Sequence, residues 1–195
     1  MNDSIDYYDE HCERFIRGTF EIDMSPVYQP FLELMPAGGN LLDAGCGSGR
    51  DALAFSRLGF QVAAFDASGR CVEEARRLTG LKIRQLRFDE MDFEDEFDGI
   101  WACASLLHVR RNDLDDVLDR FHRALRPNGV AYLSFKEGSE ESRKDGRRFT
   151  NFTLAGFDRW IAGLPNWICV GTWLTEDMRP ERRQELWVNG LIRKI

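Results

Sequence analysis

The chain contains no run of about 18 apolar residues, so no membrane-spanning helix is expected. Its first residues, "MNDSIDYYDEH", are acidic and carry no apolar stretch, which argues against a secretion signal. Cysteine is sparse and odd in number: Cys12, Cys46, Cys71, Cys103 and Cys169 include no CxxC pair. That pattern opposes a disulfide framework or a thiolate zinc site and fits a reducing cytoplasm. Three histidines, none at metal-ligand spacing from another or from a cysteine, leave no metal to expect. Basic residues are also short, 26 Lys and Arg against 33 Asp and Glu, for a net charge of −7 and a pI near 5.1. Binding along a phosphate backbone needs a basic footprint, so nucleic acid is not the expected partner. No repeat, low-complexity tract or long linker divides the 195 residues, and one domain over 1–195 is expected.

What is present is an alternation of two periods. "NLLDAG" (40–45), "FQVAAFD" (60–66), "LKIRQLRF" (81–88), "GIWACAS" (99–105) and "GVAYLSF" (129–135) have the character of strands. "RDALAFSRLG", "SGRCVEEARRLTG" and "NDLDDVLDRFHRALRPNG" have that of helices. Two of these stop at glycine and the third at Pro127, with Asn112 or Asp113 as its cap. Strands separated by helices of this length pair in parallel through right-handed crossovers, giving an α/β, doubly wound sheet. A further helix is expected over 152–164, capped by Thr153. Then "NWICVGTWLT" (166–175) and "RRQELWVNGLIRK" (182–194), with no helix between them, predict a C-terminal antiparallel hairpin and a total of seven strands. Residues 4–20 and 26–35 predict two helices outside this core. The polar stretches 89–99 and 136–148 predict loops.

The loop "AGCGSGR" follows the first strand, where open α/β sheets bind ligands. No Lys-Ser or Lys-Thr follows its glycines, which excludes a P-loop. Gly45, Gly47 and Gly49 make GxGxG rather than GxGxxG. Arg50 occupies the sixth position, where a dinucleotide fold needs glycine for close helix–strand packing. The loop therefore admits backbone close to a ligand that need not carry phosphate.

This spacing, with Asp66 closing the second strand in "AAFDAS", with "FDGIWACASLLHV" and with "FHRALRPNGVAYLSF", resembles the class I S-adenosylmethionine (SAM) methyltransferase superfamily, in its small single-domain bacterial form. The resemblance implies a Rossmann-like seven-stranded sheet, SAM as methyl donor and S-adenosylhomocysteine (SAH) as product. It implies that Asp66 binds the ribose hydroxyls, with Ala67 beside it, and that Gly45, Cys46, Gly47, Gly49 and Arg50 pass close to the amino-acid portion. Asp43, at the first strand's end, accepts from backbone or from the donor's ammonium group. Phe88, Asp89, Glu90 and Met91 are the adenine-side candidates, and Ala104 lies on the fourth-strand loop. Residues 1–35 resemble a helical lid over the 36–195 core, with Tyr8 or Phe15 closing on SAM.

Methyl transfer implies an in-line displacement by an acceptor nucleophile, with His108 the candidate general base and Asp51 behind it. After the fourth strand the sequence reads "ACASLLHV", without the prolines of enzymes that methylate amines of nucleic-acid bases. A small molecule is the leading acceptor; a protein side chain or a tRNA is the alternative. The rival classes are a SAM-binding module without catalysis, acting as a partner's scaffold, and a nucleotide-dependent oxidoreductase, which Arg50 at the sixth position disfavours. The oligomeric state stays open.

Overall fold

The computed structural model describes residues 3–195; Met1 and Asn2, the first residues of the expected lid, lie outside the described residues. Helix α1 (Asp3–Arg17) bends at His11, whose φ and ψ of −112° and 17° leave the helical region. Helix α2 (Ser25–Leu32) follows, with Val27, Tyr28 and Phe31 buried. The core then alternates β1 (Asn40–Ala44), α3 (Arg50–Arg57), β2 (Gln61–Asp66), α4 (Gly69–Thr79), β3 (Ile83–Gln85), β4 (Phe97–Ala102), α5 (Leu114–Ala124) and β5 (Leu125–Lys136).

Seven strands form one sheet in the order β3-β2-β1-β4-β5-β9-β8, and the first five run parallel. Strands β8 (Trp167–Glu176) and β9 (Leu186–Lys194) close it as the expected antiparallel hairpin. Because side chains alternate across a strand, neighbouring residues serve opposite faces. Leu42, Ile100 and Leu133 pack against α5 and α6 (Leu154–Ala162), through Phe121 and Phe157. Leu41, Trp101 and Tyr132 face α2 and α3, through Phe31 and Phe55. Strand order reverses between β1 and β4, and that crevice holds the site.

Capping follows the sequence in most places. Ser68 Oγ accepts from the Cys71 N–H at 3.1 Å to start α4, and Gly80 ends it at φ 71°. Thr153 caps α6 by accepting from the Gly156 N–H at 3.1 Å. Asp113 stands at the start of α5 but its side chain makes no cap bond, because a 3-10 turn over Arg111–Asp113 leads into the helix instead.

Two expectations are corrected. The third strand covers only Ile83–Gln85, since a 3-10 turn forms at Phe88–Glu90. The stretch 136–148 is not all loop: β6 (Glu141–Lys144) and β7 (Arg147–Thr150) pair as an antiparallel hairpin. Asp145 and Gly146 turn it with φ of 51° and 77°. A two-residue turn with both φ values positive matches strand twist, and Asp-Gly is among the pairs that suit it.

Candidate functional site

The carboxyl ends of β1, β2 and β4 open into a cavity of about 730 Å³. Its floor is the glycine loop. The N–H groups of Gly45 and Cys46 both donate to the Phe65 carbonyl at 2.9 Å, which pins the loop to β2. Gly45 has φ 77°, and a Cβ there would fall 2.5 Å from the Ser105 Cβ. Gly47 has φ 52°, and a Cβ would fall 3.0 Å from the Phe15 ring. These two positions admit only glycine for both reasons, conformation and room. Gly49 starts α3 at φ 74°. Ala104, at φ 52°, is one of few non-glycine residues in the left-handed region, and its N–H donates to Ser134 Oγ at 2.8 Å. Strain of this kind collects where a fold holds a ligand.

Three carboxylates at the floor have different fates. Asp66 accepts from the Gly47 N–H at 2.8 Å and the Ser68 N–H at 2.9 Å, one bond to each oxygen. Burial raises its pKa, opposed by these backbone donors. Asp51 is buried and saturated: Arg50 Nε (2.6 Å) and Nη2 (3.0 Å), the Tyr28 hydroxyl (2.7 Å) and Trp101 Nε1 (2.9 Å) all donate to it. Burial pushes its pKa up, but Arg50 and these donors outweigh that and hold it below the usual range. Asp43 is 2% exposed, and its Oδ2 has no hydrogen-bond partner among the described residues. Burial first, then the neighbouring charge of Asp51, drives its pKa well up. Arg50 is therefore committed to Asp51 and to the Thr19 carbonyl at 3.2 Å, and Asp51 is not free to stand behind a base. Cys46 and Ala67 line the floor.

Helix α1 lies over this floor. Asp9 Oδ1 accepts from Ser68 Oγ at 2.6 Å and from the Arg70 N–H at 3.2 Å, anchoring α1 to the positive N-terminal end of α4. Phe15 rests on Gly47, and Tyr8 packs edge-on against Phe15 with centroids 5.0 Å apart. The Tyr8 hydroxyl and His108 Nε2 lie 2.9 Å apart, while His108 Nδ1 lies 2.7 Å from the Arg148 carbonyl. A carbonyl only accepts, so Nδ1 carries the proton, and Nε2 accepts from Tyr8. The lone pair a general base would use is thus taken by Tyr8.

Burial, with Arg147 and Lys136 nearby, lowers the His108 pKa from 6.5 to about 4. The unfolded chain takes up its proton at the ordinary value and the native ring resists it until about 4. Stability on account of this residue therefore rises with pH across that window and falls as pH drops through it. Titration of the ring followed by NMR is expected to show a midpoint well below 6.5; a midpoint at or above it contradicts the buried neutral ring.

On the far side of Asp66, Phe88 turns its ring into the cavity, 5.5 Å from Phe65. Asp89, Glu90 and Met91 do not line it. Asp89 pairs with Arg87 at 2.8 Å on the surface, Glu90 accepts from the Arg87 N–H at 3.0 Å, and Met91 is buried in the core. The turn at 88–90 causes this, sending one ring inward and the next two carboxylates outward.

Three contributors escaped sequence reading. Asp9 looks like one acid in an acidic helix. Lys136 and Arg147 sit in a polar stretch whose hairpin is announced only by "DG". That hairpin closes the cavity on the side away from the glycine loop, with Phe149 and Arg147 facing in.

Residues 41–129 match the family model of a methyltransferase domain. Methyltransferase GfsG of Streptomyces halstedii is 38% identical over 103 residues, covering 48% of this chain and 36% of that protein. The SAM-dependent Diels-Alderase iccD of Talaromyces variabilis is 34% identical over 126 residues, 58% of this chain and 42% of that protein. The chain thus spans well under half the length of these relatives. The crystal structure of Burkholderia thailandensis 1,6-didemethyltoxoflavin-N1-methyltransferase, with 1,6-didemethyltoxoflavin and SAH bound, superposes with a TM-score of 0.79 at 22% identity, covering 98% of this chain and 86% of that one. Sequence match, sheet order and glycine loop agree: residues 41–129 are similar to a methyltransferase domain, and the chain shares the fold of these methyltransferase structures.

Proposed function

We propose that this chain transfers a methyl group from SAM to a small-molecule acceptor, releasing SAH. The observation that carries the proposal is Asp43 Oδ2, a buried carboxylate oxygen of a cavity-lining residue with no hydrogen-bond partner among the described residues, beside a loop whose Gly45 has no room for a Cβ. A buried acceptor without a donor is costly, and a cationic ligand group relieves it. Asp43 would hold the donor's ammonium and Asp66 its ribose hydroxyls, since each Asp66 oxygen has a lone pair beyond its one backbone bond. Phe88 would flank the adenine, and Phe15 and Tyr8 would cover the bound molecule.

SAM supplies a methyl group already activated by positive sulfur. The chain's own task is then positioning and exclusion of water. Residues 3–35, with the β6–β7 hairpin, would form the cover of one domain. His108 fixes the Tyr8 hydroxyl at the wall and acts through it. A covered cavity of this size suits a small molecule rather than a polymer. The five free thiols suit a reducing cytoplasm; among the described residues no helix is long and apolar enough to cross a membrane.

Calorimetry with SAM, SAH, NAD and NADP tests the donor: SAM and SAH are expected to bind, and preference for NAD or NADP overturns the reading. Asp66→Ala should weaken SAM by about 1–3 kcal/mol, the loss expected for hydrogen bonds to a charged acceptor. An unchanged affinity in a folded variant would place the ribose elsewhere. The Diels-Alderase relative favours a second reading, SAM held without methyl transfer. A screen of acceptors with methyl-labelled SAM separates the two, and label recovered in a protein or tRNA would reassign the acceptor.

A further inference from the structure

Past Tyr8 and His108 the cavity continues toward the β6–β7 hairpin, where its character changes. The floor carries Asp43, Asp51 and Asp66; this end carries Arg147 and Lys136, both near the Phe149 ring, while Asp145, Glu176 and Asp177 also line the cavity. Arg147 Cζ stands 4.0 Å above the Tyr7 ring and 5.2 Å from the Phe149 centroid. Lys136 Nζ stands 5.4 Å from the same Phe149 centroid and pairs with Glu185 at 2.5 Å. Arg147 has one weak carboxylate contact, Nη2 to Asp145 at 3.4 Å, and its guanidinium also bonds to the Tyr8 hydroxyl. Its Nε–H is buried and finds no hydrogen-bond partner among the described residues.

Among the described residues, three buried polar side-chain atoms lack a partner, and two belong to residues lining this cavity. One is an acceptor, Asp43 Oδ2, at the floor. The other is a donor, Arg147 Nε–H, under the hairpin. Burying a guanidinium N–H unpaired is costly, so a fold that holds it there against two rings has placed it for a ligand. Guanidinium groups match planar oxyanions in geometry as well as charge. The rings of Tyr8 and Phe149 near it, with Trp187 near Lys136, line the cavity with aromatic surface.

We infer that this end binds the methyl acceptor as a planar, conjugated organic anion, with the Arg147 guanidinium as its recognition group and Lys136, also near the Phe149 ring, adding positive charge. The inference rests on the methyl-donor reading only for the word acceptor; the anion site stands on its own geometry. It also accounts for the engaged lone pair of His108. An acceptor whose nucleophilic atom arrives deprotonated needs no base from the protein.

The test titrates SAH-loaded protein with 2-naphthoate and with its neutral analogue 2-naphthamide. Naphthoate should bind about tenfold or more tighter, as expected for a charge-assisted hydrogen bond. Arg147→Met should erase the preference, and Arg147→Lys, which keeps charge but loses the planar fork, should retain only part of it. If Arg147→Met does not fold, the partial loss in Arg147→Lys decides. Equal affinity for the two probes, no binding of naphthoate, or a preference that survives both substitutions overturns the inference. Failure to bind SAH, with the preference for naphthoate still dependent on Arg147, would instead overturn the methyl-donor reading and leave the anion site.

Discussion

Asp43→Asn is expected to bind SAM and SAH about tenfold or more weakly, the loss for a hydrogen bond to a charged group, and at the same time to unfold at a higher temperature than the parent without ligand. Both effects come from one atom. Asp43 Oδ2 is buried without a partner among the described residues, and burial together with the Asp51 charge drives the pKa well up. A carboxyl with a raised native pKa makes the native state bind the extra proton in the window between its unfolded and folded values. Stability from this group therefore falls as pH rises through that window. The neutral amide removes the dependence and the cost, on the order of 1 kcal/mol for a buried polar group of this kind. Gain of stability with loss of affinity is the signature of a residue kept for a ligand. Thermal unfolding and calorimetry on the same preparation check it; a variant that loses stability and keeps its affinity would show Asp43 to be structural.

Asp51→Ala is expected to destabilise the chain by about 3–5 kcal/mol, the range for removing one partner of a buried ion pair. Asp51, two residues after Gly49, collects Arg50, Tyr28 and Trp101. Its loss would leave a guanidinium, a phenol and an indole N–H buried together. The pH dependence has the opposite sign to that of Asp43. Burial raises the Asp51 pKa, but Arg50 and the other donors lower it further, so its contribution is present above the unfolded carboxylate value and is lost as pH falls through the depressed one. Urea unfolding at neutral pH measures the first effect, and a repeat at acid pH, where parent and variant should converge, measures the second. A loss below about 1 kcal/mol, the size of an exposed pair, would contradict the buried network.

Two aspartates eight residues apart thus stand in opposite states. Asp43 follows Leu42 and Asp51 follows Arg50, yet either would pass for a site carboxylate. Asp51 is neutralised because α3 brings Arg50 back onto it while Tyr28 arrives from α2 and Trp101 from β4. Asp43 lacks those donors because it faces the cavity.

The fold was legible to the extent that it rests on local periodicity. Alternating strands and helices, the caps at Ser68 and Thr153 and the C-terminal hairpin all follow from side-chain patterns within a few turns of chain. The β6–β7 hairpin was not, because its strands are polar and alternate no apolar face; only the Asp145-Gly146 turn marks it. The floor of the cavity was legible because a glycine loop and an acid at the next strand's end are close in sequence and fixed by one βαβ unit. Asp89, Glu90 and Met91 could not be ordered from sequence, since a single 3-10 turn decides which side chain faces inward.

By itself the sequence determined a doubly wound sheet with a glycine loop at its switch point, because hydrophobic period and glycine spacing are properties of neighbouring residues. Tertiary structure alone decided that Tyr8 occupies His108, that Asp9 holds α1 on α4, and that Asp43 and Arg147 line one cavity, each with a buried polar atom that has no partner among the described residues. Those facts depend on distant residues meeting in space, Tyr8 and His108 being 100 positions apart. Whether a buried polar group is satisfied is a property of everything that surrounds it, which no stretch of sequence contains.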